Sequence, residues 1–182
     1  MKPLVLSVIA ILAAGSAMAA VGVADWSGVY KQRFNVTGPA PGVVEDVLEI
    51  VPVGPNRAYV RADLSFSSAN SCKFYGVATL EGDRLRYRGP VDGHQGERCT
   101  LTLERGRDAK GNPTIVLRDE GSRCEAATCS KRGSYDTQSF PVSARRTIRY
   151  MPRLKASSEF AYALKEAGIA APPATPATRP NP

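Results

Sequence analysis

The chain is poor in the residues that usually carry enzymatic chemistry. Its 182 residues include one histidine, one tryptophan and three methionines. A hydrolase triad could form only around His94, and no Gly-x-Ser-x-Gly nucleophile turn accompanies it. No Cys-x-x-Cys pair is present, which excludes a dithiol redox centre of that type. The one glycine-rich stretch with a lysine, Gly106 to Gly111, lies between two strand-like segments. It reads as a hairpin loop, because a phosphate cradle requires a following helix. Basic residues do not alternate with stacking aromatics, so nucleic acid is not an expected partner. No apolar run reaches the roughly 20 residues that a membrane span needs. Neither an enzyme, a cofactor nor a bound metal is expected.

What is present begins with an export signal. Lys2 supplies a basic start, Leu4 to Ala14 is apolar, and Ala17-Met18-Ala19 fits a small-x-small cleavage site. Residues 1–19 therefore read as a signal peptide, and a periplasmic or secreted destination follows. Export gives the four cysteines their meaning: Cys72, Cys99, Cys124 and Cys129 are expected as two disulfides of an oxidising compartment. Three connectivities are possible, of which Cys72–Cys99 with Cys124–Cys129 is preferred. Four isolated or distantly spaced thiols with no histidine at ligand spacing do not make a zinc site.

From Trp26 to Val142 the apolar period is two. Ala58, Val60, Ala62, Leu64 and Phe66 form the clearest stripe; Cys72, Phe74, Gly76, Ala78 and Leu80 form the next. The segment around Val44–Val51 is apolar on parts of both faces. Further short stripes follow, the last through Tyr135, Thr137 and Ser139 to Phe140. Glycine, proline and aspartate turns separate them, with no helical segment between. The expected fold is all-β: a single antiparallel up-and-down barrel of about eight strands, residues 20–155, closed because closure removes exposed edges. The alternation places all four cysteines at one end of the sheet. Arg145 to Lys155 reads as one more extended segment.

Ser157 then looks like an N-cap. Phe160, Ala163, Leu164 and Ala167 fall at helical spacing, and Gly168 stands at the stop position. A short amphipathic helix, Ser158 to Ala167 within a 156–168 unit, is expected to plug a barrel end or cover a flank. Residues 169–182, rich in proline, alanine and threonine, read as an extended tail.

The net charge is +7, of which Lys2 leaves with the signal. Arg145, Arg146, Arg149, Arg153 and Lys155 form the only dense basic patch, suited to anionic envelope polymers. The second candidate surface is the glycine-rich turn carrying Asp92, His94 and Gln95, the most exposed loop residues expected. Glu45, Asp46, Glu49, Asp63, Asp119 and Glu120 read as ordinary exposed faces, with Asp119-Glu120-Gly121 a tight turn after a strand, rather than as a catalytic carboxylate pair.

Three short motifs carry a family resemblance: Trp26-Ser27-Gly28-Val29-Tyr30, Cys72-Lys73-Phe74-Tyr75-Gly76-Val77-Ala78 and Cys99-Thr100-Leu101-Thr102-Leu103. With the close cysteine pair that follows, the chain resembles a group of exported bacterial β-barrel proteins, some similar to periplasmic lysozyme inhibitors. The resemblance implies loops presented to the cleft of a cell-wall hydrolase. The Ser-Gly-x-x-Tyr loop of the C-type inhibitors is one residue short at Ser27–Tyr30, so no inhibitory residue carries over. Three functions follow as expectations: an exported binding protein that inhibits a hydrolase such as lysozyme, a small-molecule or lipid carrier, and a structural envelope protein on anionic polymers.

Overall fold

A computed structural model describes residues 21–36, 41–91, 94–136 and 138–170. The proposed signal peptide, Asp92, Thr137 and all but the first two residues of the expected tail lie outside the described residues.

Seven long strands follow one another as a meander: β1 (Gly28–Val36), β2 (Gly42–Pro52), β3 (Arg57–Ser65), β4 (Ser71–Glu81), β5 (Arg84–Val91), β6 (His94–Arg107) and β7 (Pro113–Asp119). Two short strands, β8 (Ser139–Pro141) and β9 (Arg145–Arg146), complete an antiparallel sheet of order β8-β7-β6-β5-β4-β3-β2-β1-β9. The outermost strands, β8 and β9, are joined by a single 3-10 turn, Val142–Ala144. One stretch of chain thus seals both edges, and the sheet wraps into a nearly closed barrel. Nine strands form where about eight are expected, because the basic segment contributes only Arg145–Arg146 to the sheet. The rest of it turns into a helix, α2 (Met151–Lys155), in which Pro152 stands in the first turn, where its missing N–H costs nothing. The strand expected through Tyr135 shortens to Ser139–Pro141; Tyr135 itself is buried in the barrel.

The interior is filled. Tyr30, Leu48, Ile50, Val60, Leu64, Phe74, Leu101, Tyr135 and Phe140 are among the side chains packed inside. Two local elements stopper the ends. At one, the 3-10 turn Val23–Trp26 inserts Trp26, whose carbonyl accepts the Tyr30 hydroxyl at 2.8 Å and whose ring lies under the Arg105 guanidinium, 4.9 Å from its centroid. At the other, α1 (Arg123–Thr128) is fixed by both disulfides. They pair Cys72 with Cys129 and Cys99 with Cys124. The expected end of the sheet is correct, and the expected connectivity is not. The chain from Cys124 to Cys129 forms a helix that reaches from β6 to β4, carrying each cysteine to a different strand. Asp119 caps this helix, its carboxylate accepting the Cys124 and Glu125 N–H groups at 3.1 and 2.6 Å. Asp119→Ala is expected to cost about 1–3 kcal/mol in denaturant unfolding, because two buried donors lose their acceptor.

The outer face of β2 and β3 is apolar where α2 and α3 (Ser158–Glu166) cover it. Val29, Val51, Tyr59, Ile148, Leu154, Phe160, Ala163 and Leu164 form this second core. That cover explains why β2 is apolar on both faces. The Ser157 side chain accepts the Phe160 N–H at 3.2 Å, the expected N-cap. Helix α3 covers a flank rather than plugging an end. Its last turn is tied down by Arg57, which donates to the Ala167 carbonyl at 3.2 Å. The uncovered faces carry cross-strand ion pairs: Arg33 and Lys31 with Glu45, Arg118 and Arg84 with Glu104, Arg86 and Arg88 with Glu81.

Candidate functional site

Among the described residues three carboxylates are buried: Asp46, Glu49 and Asp119. Asp46 accepts the Ser65 N–H at 2.7 Å, and Asp119 serves as the α1 cap; each is satisfied by backbone inside the fold. Burial raises the pKa of both. Glu49 differs because it sits beside a cleft. Its side chain, only 1% exposed, accepts hydrogen bonds from the Tyr150 hydroxyl and, at 3.2 Å, from Arg61. Arg61 stands directly opposite Glu49 in the β2–β3 register and also pairs with Asp63 at 3.2 Å. Tyr150 comes from the turn before α2, 101 residues away in sequence.

The cleft itself, about 270 Å³ and open to solvent, lies between β2–β3 below and α2–α3 above. Glu49, Tyr59 and Arg61 form its floor; Arg153, Ser157 and Glu159 stand around it. The Arg153 guanidinium lies over the Tyr150 ring, 5.3 Å from its centroid. Burial pushes the Tyr150 phenol up, and its hydrogen bond to ionised Glu49 pushes it further. Burial likewise raises Tyr59, whose hydroxyl has no hydrogen-bond partner among the described residues. Glu159 is held below the usual carboxylate range, first by its own backbone N–H at the start of α3 and also by the Ser158 and Ser157 side chains.

Chemically, this is a fixed-charge site. Both Glu49 oxygens are engaged and enclosed, so the carboxylate is not placed to take a substrate proton. Both buried phenols stay protonated well above neutral pH. Among the described residues, no three His, Cys, Asp or Glu side chains converge to hold a metal ion. The arrangement suits binding: a guanidinium at the mouth, hydroxyls beneath and a helix start at one side.

The basic residues expected to act together divide into two groups. Arg145 donates to the Asp25 carbonyl at 2.9 Å and lays its stem over Gly28, where a Cβ would meet its Cγ at 2.8 Å. Arg146 donates to the Ser143 and Arg145 carbonyls at 2.9 and 2.8 Å. Both help seal the barrel. Arg149, Arg153 and Lys155 are exposed, and Arg153 lines the cleft. None of the five has an acidic partner among the described residues, in contrast to the paired arginines of the strand faces. His94 and Gln95 open β6 at the far, disulfide-pinned end, so the two expected surfaces do not form one site.

The Glu49–Tyr150–Arg61 cluster was not foreseen. Its one signal in the sequence is a glutamate inside the apolar run Val47-Leu48-Glu49-Ile50-Val51. A charge in a strand covered on both faces needs a buried partner. No family model, curated protein or solved structure matches this chain.

Proposed function

We propose that the protein is an exported, non-catalytic binding protein of the cell envelope whose partner is an anionic polymer. Arg149, Arg153 and Lys155 form the contact surface. The observation that carries this reading is the missing counter-charge. Arg33, Arg84, Arg86, Arg88 and Arg118 on the open strand faces find glutamates, while Arg149, Arg153 and Lys155 find none among the described residues, and Arg153 lines a cleft. Cations without a counter-charge need break no ion pair to meet an anionic surface. The two disulfides fit an oxidising compartment, the periplasm or outside the cell. No helix among the described residues is long and apolar enough to cross a membrane. Side chains of the described residues pack the barrel interior.

Cosedimentation with isolated cell-wall polymer tests this. Binding is expected to fall steeply with added salt. Combined Arg149→Gln, Arg153→Gln and Lys155→Gln substitutions should weaken it by roughly tenfold or more, at about 1 kcal/mol per cation near an anionic surface. Salt-insensitive binding, or full binding by the triple variant, would remove the proposal. Cell-wall hydrolases should keep their activity in the protein's presence; direct inhibition would show that the target is the enzyme.

A further inference from the structure

The ladder between β4 and β5 is incomplete. Strands β3 and β4 pair from Arg57↔Thr79 to Ser65↔Ser71, and β5 and β6 pair from Leu85↔Leu103 to Pro90↔Arg98. Between them, β4 and β5 pair only at Thr79↔Arg86, Leu80↔Leu85 and Glu81↔Arg84. Continuing that register would bring Gly76 opposite Gly89, but the ladder stops first. The Tyr87 ring lies over both glycines: a Cβ would meet it at 2.5 Å from Gly76, and would meet its hydroxyl at 2.4 Å from Gly89. The Tyr87 hydroxyl donates to the Pro90 carbonyl, so part of the seam is capped from within.

Two clefts open along this seam. One, about 140 Å³, sits at Gly76 and Gly89 under Tyr162 and Glu166 of α3. The other, about 60 Å³, sits at Phe74 and Val91 beside Thr128 of α1. They are two residues apart on both strands, about 7 Å, which is the spacing of side chains on one face of an extended chain. The border carries more cations than anions: Lys73 at one cleft, Arg88 and Arg98 against Glu166 at the other, and Arg123 with Glu120 on the groove that continues from it. Arg88 is paired with Glu81, but Lys73, Arg98 and Arg123 have no acidic partner among the described residues.

We infer that this seam is a docking site for an extended acidic peptide segment of a partner protein. The peptide adds its backbone where β4 and β5 leave each other unpaired, sets alternate side chains into the two clefts and places carboxylates beside Arg98 and Lys73. This site is distinct from the surface at Arg149, Arg153 and Lys155.

The test uses the oxidised full-length chain and a short synthetic peptide alternating valine and glutamate. Binding should slow hydrogen exchange at the amides of Val77 and Arg88, whose N–H groups face the seam. Methylating the peptide's backbone nitrogens should abolish binding, because the strand edge then meets no donors. Arg98→Glu, at an exposed position, should weaken binding by roughly tenfold. Combined Arg149→Gln, Arg153→Gln and Lys155→Gln substitutions should leave it unchanged, which separates this site from the polymer surface. The inference is overturned by any of four results: no binding, equal binding of the N-methylated peptide, equal binding of a valine–lysine peptide, or seam protection that rises with protein concentration alone. The last would make the occupant a second copy.

Discussion

Replacing Cys72 and Cys129 together by serine is expected to lower unfolding stability by about 3–4 kcal/mol. Loop-closure entropy sets the scale. A separation of 57 residues corresponds to about 4 kcal/mol and one of 25 residues to about 3.5 kcal/mol. The two loops are nested, Cys99–Cys124 lying inside Cys72–Cys129. With the inner bridge intact, the outer one closes a shorter effective loop, so the two losses do not simply add. A second effect is local. The bridges tie α1 to β4 and β6 on either side of the seam where β4 and β5 part, so they hold together a wall that lacks a complete ladder. Hydrogen exchange in the Cys72/Cys129 variant should therefore rise first in α1 and in the seam strands, before the β1–β2–β3 wall. Denaturant unfolding with and without reductant measures the global loss, and peptide mapping under oxidising conditions should recover Cys72 linked to Cys129. A midpoint indifferent to reductant would show that the ladders alone hold the wall.

The barrel is legible in the sequence because burial on one face of a strand writes itself as alternation, and Ala58 to Phe66 writes it clearly. The covering helix is equally legible, since Ser157, the apolar spacing of Phe160 to Ala167 and Gly168 are local signals. The disulfide pairing is not. It depends on six residues, Arg123–Thr128, forming a helix, and such a segment is too short to show a periodicity. The basic segment misleads for a related reason. Arg145 and Arg146 serve backbone carbonyls at the closing edge, whereas Arg149 and Arg153 reach the solvent, and only the turn between β9 and α2 separates them. Composition sees one patch where geometry makes two roles. The seam leaves no trace that pattern reading can use: Gly76 looks like an ordinary strand glycine and Gly89 like the start of a glycine-rich turn until Tyr87 is seen lying across both.

Glu49→Ala should be the most damaging single substitution on the covered flank, at about 2–4 kcal/mol. Two partners lose their acceptor at once. The half-buried Tyr150 hydroxyl, which lines the cleft, loses its acceptor at a cost of about 1 kcal/mol. Arg61 loses its ion pair, but its side chain is 36% exposed and retains Asp63, so solvent recovers much of that part. Hence the expected cost falls short of the 3–5 kcal/mol typical of breaking a fully enclosed pair. A second variant shows whether the cluster is a strut or a binding device. Glu49→Leu combined with Tyr150→Phe removes the charge and its main donor together, so no buried group is left unpaired, and at least half the lost stability should return. If the flank then stands with α3 protected from exchange, the ionic cluster is dispensable for folding and its retention points to the cleft. If stability stays low and α3 exchanges freely, Glu49 is the post on which both helices are mounted, and Arg153 acts from a surface that the cleft only supports.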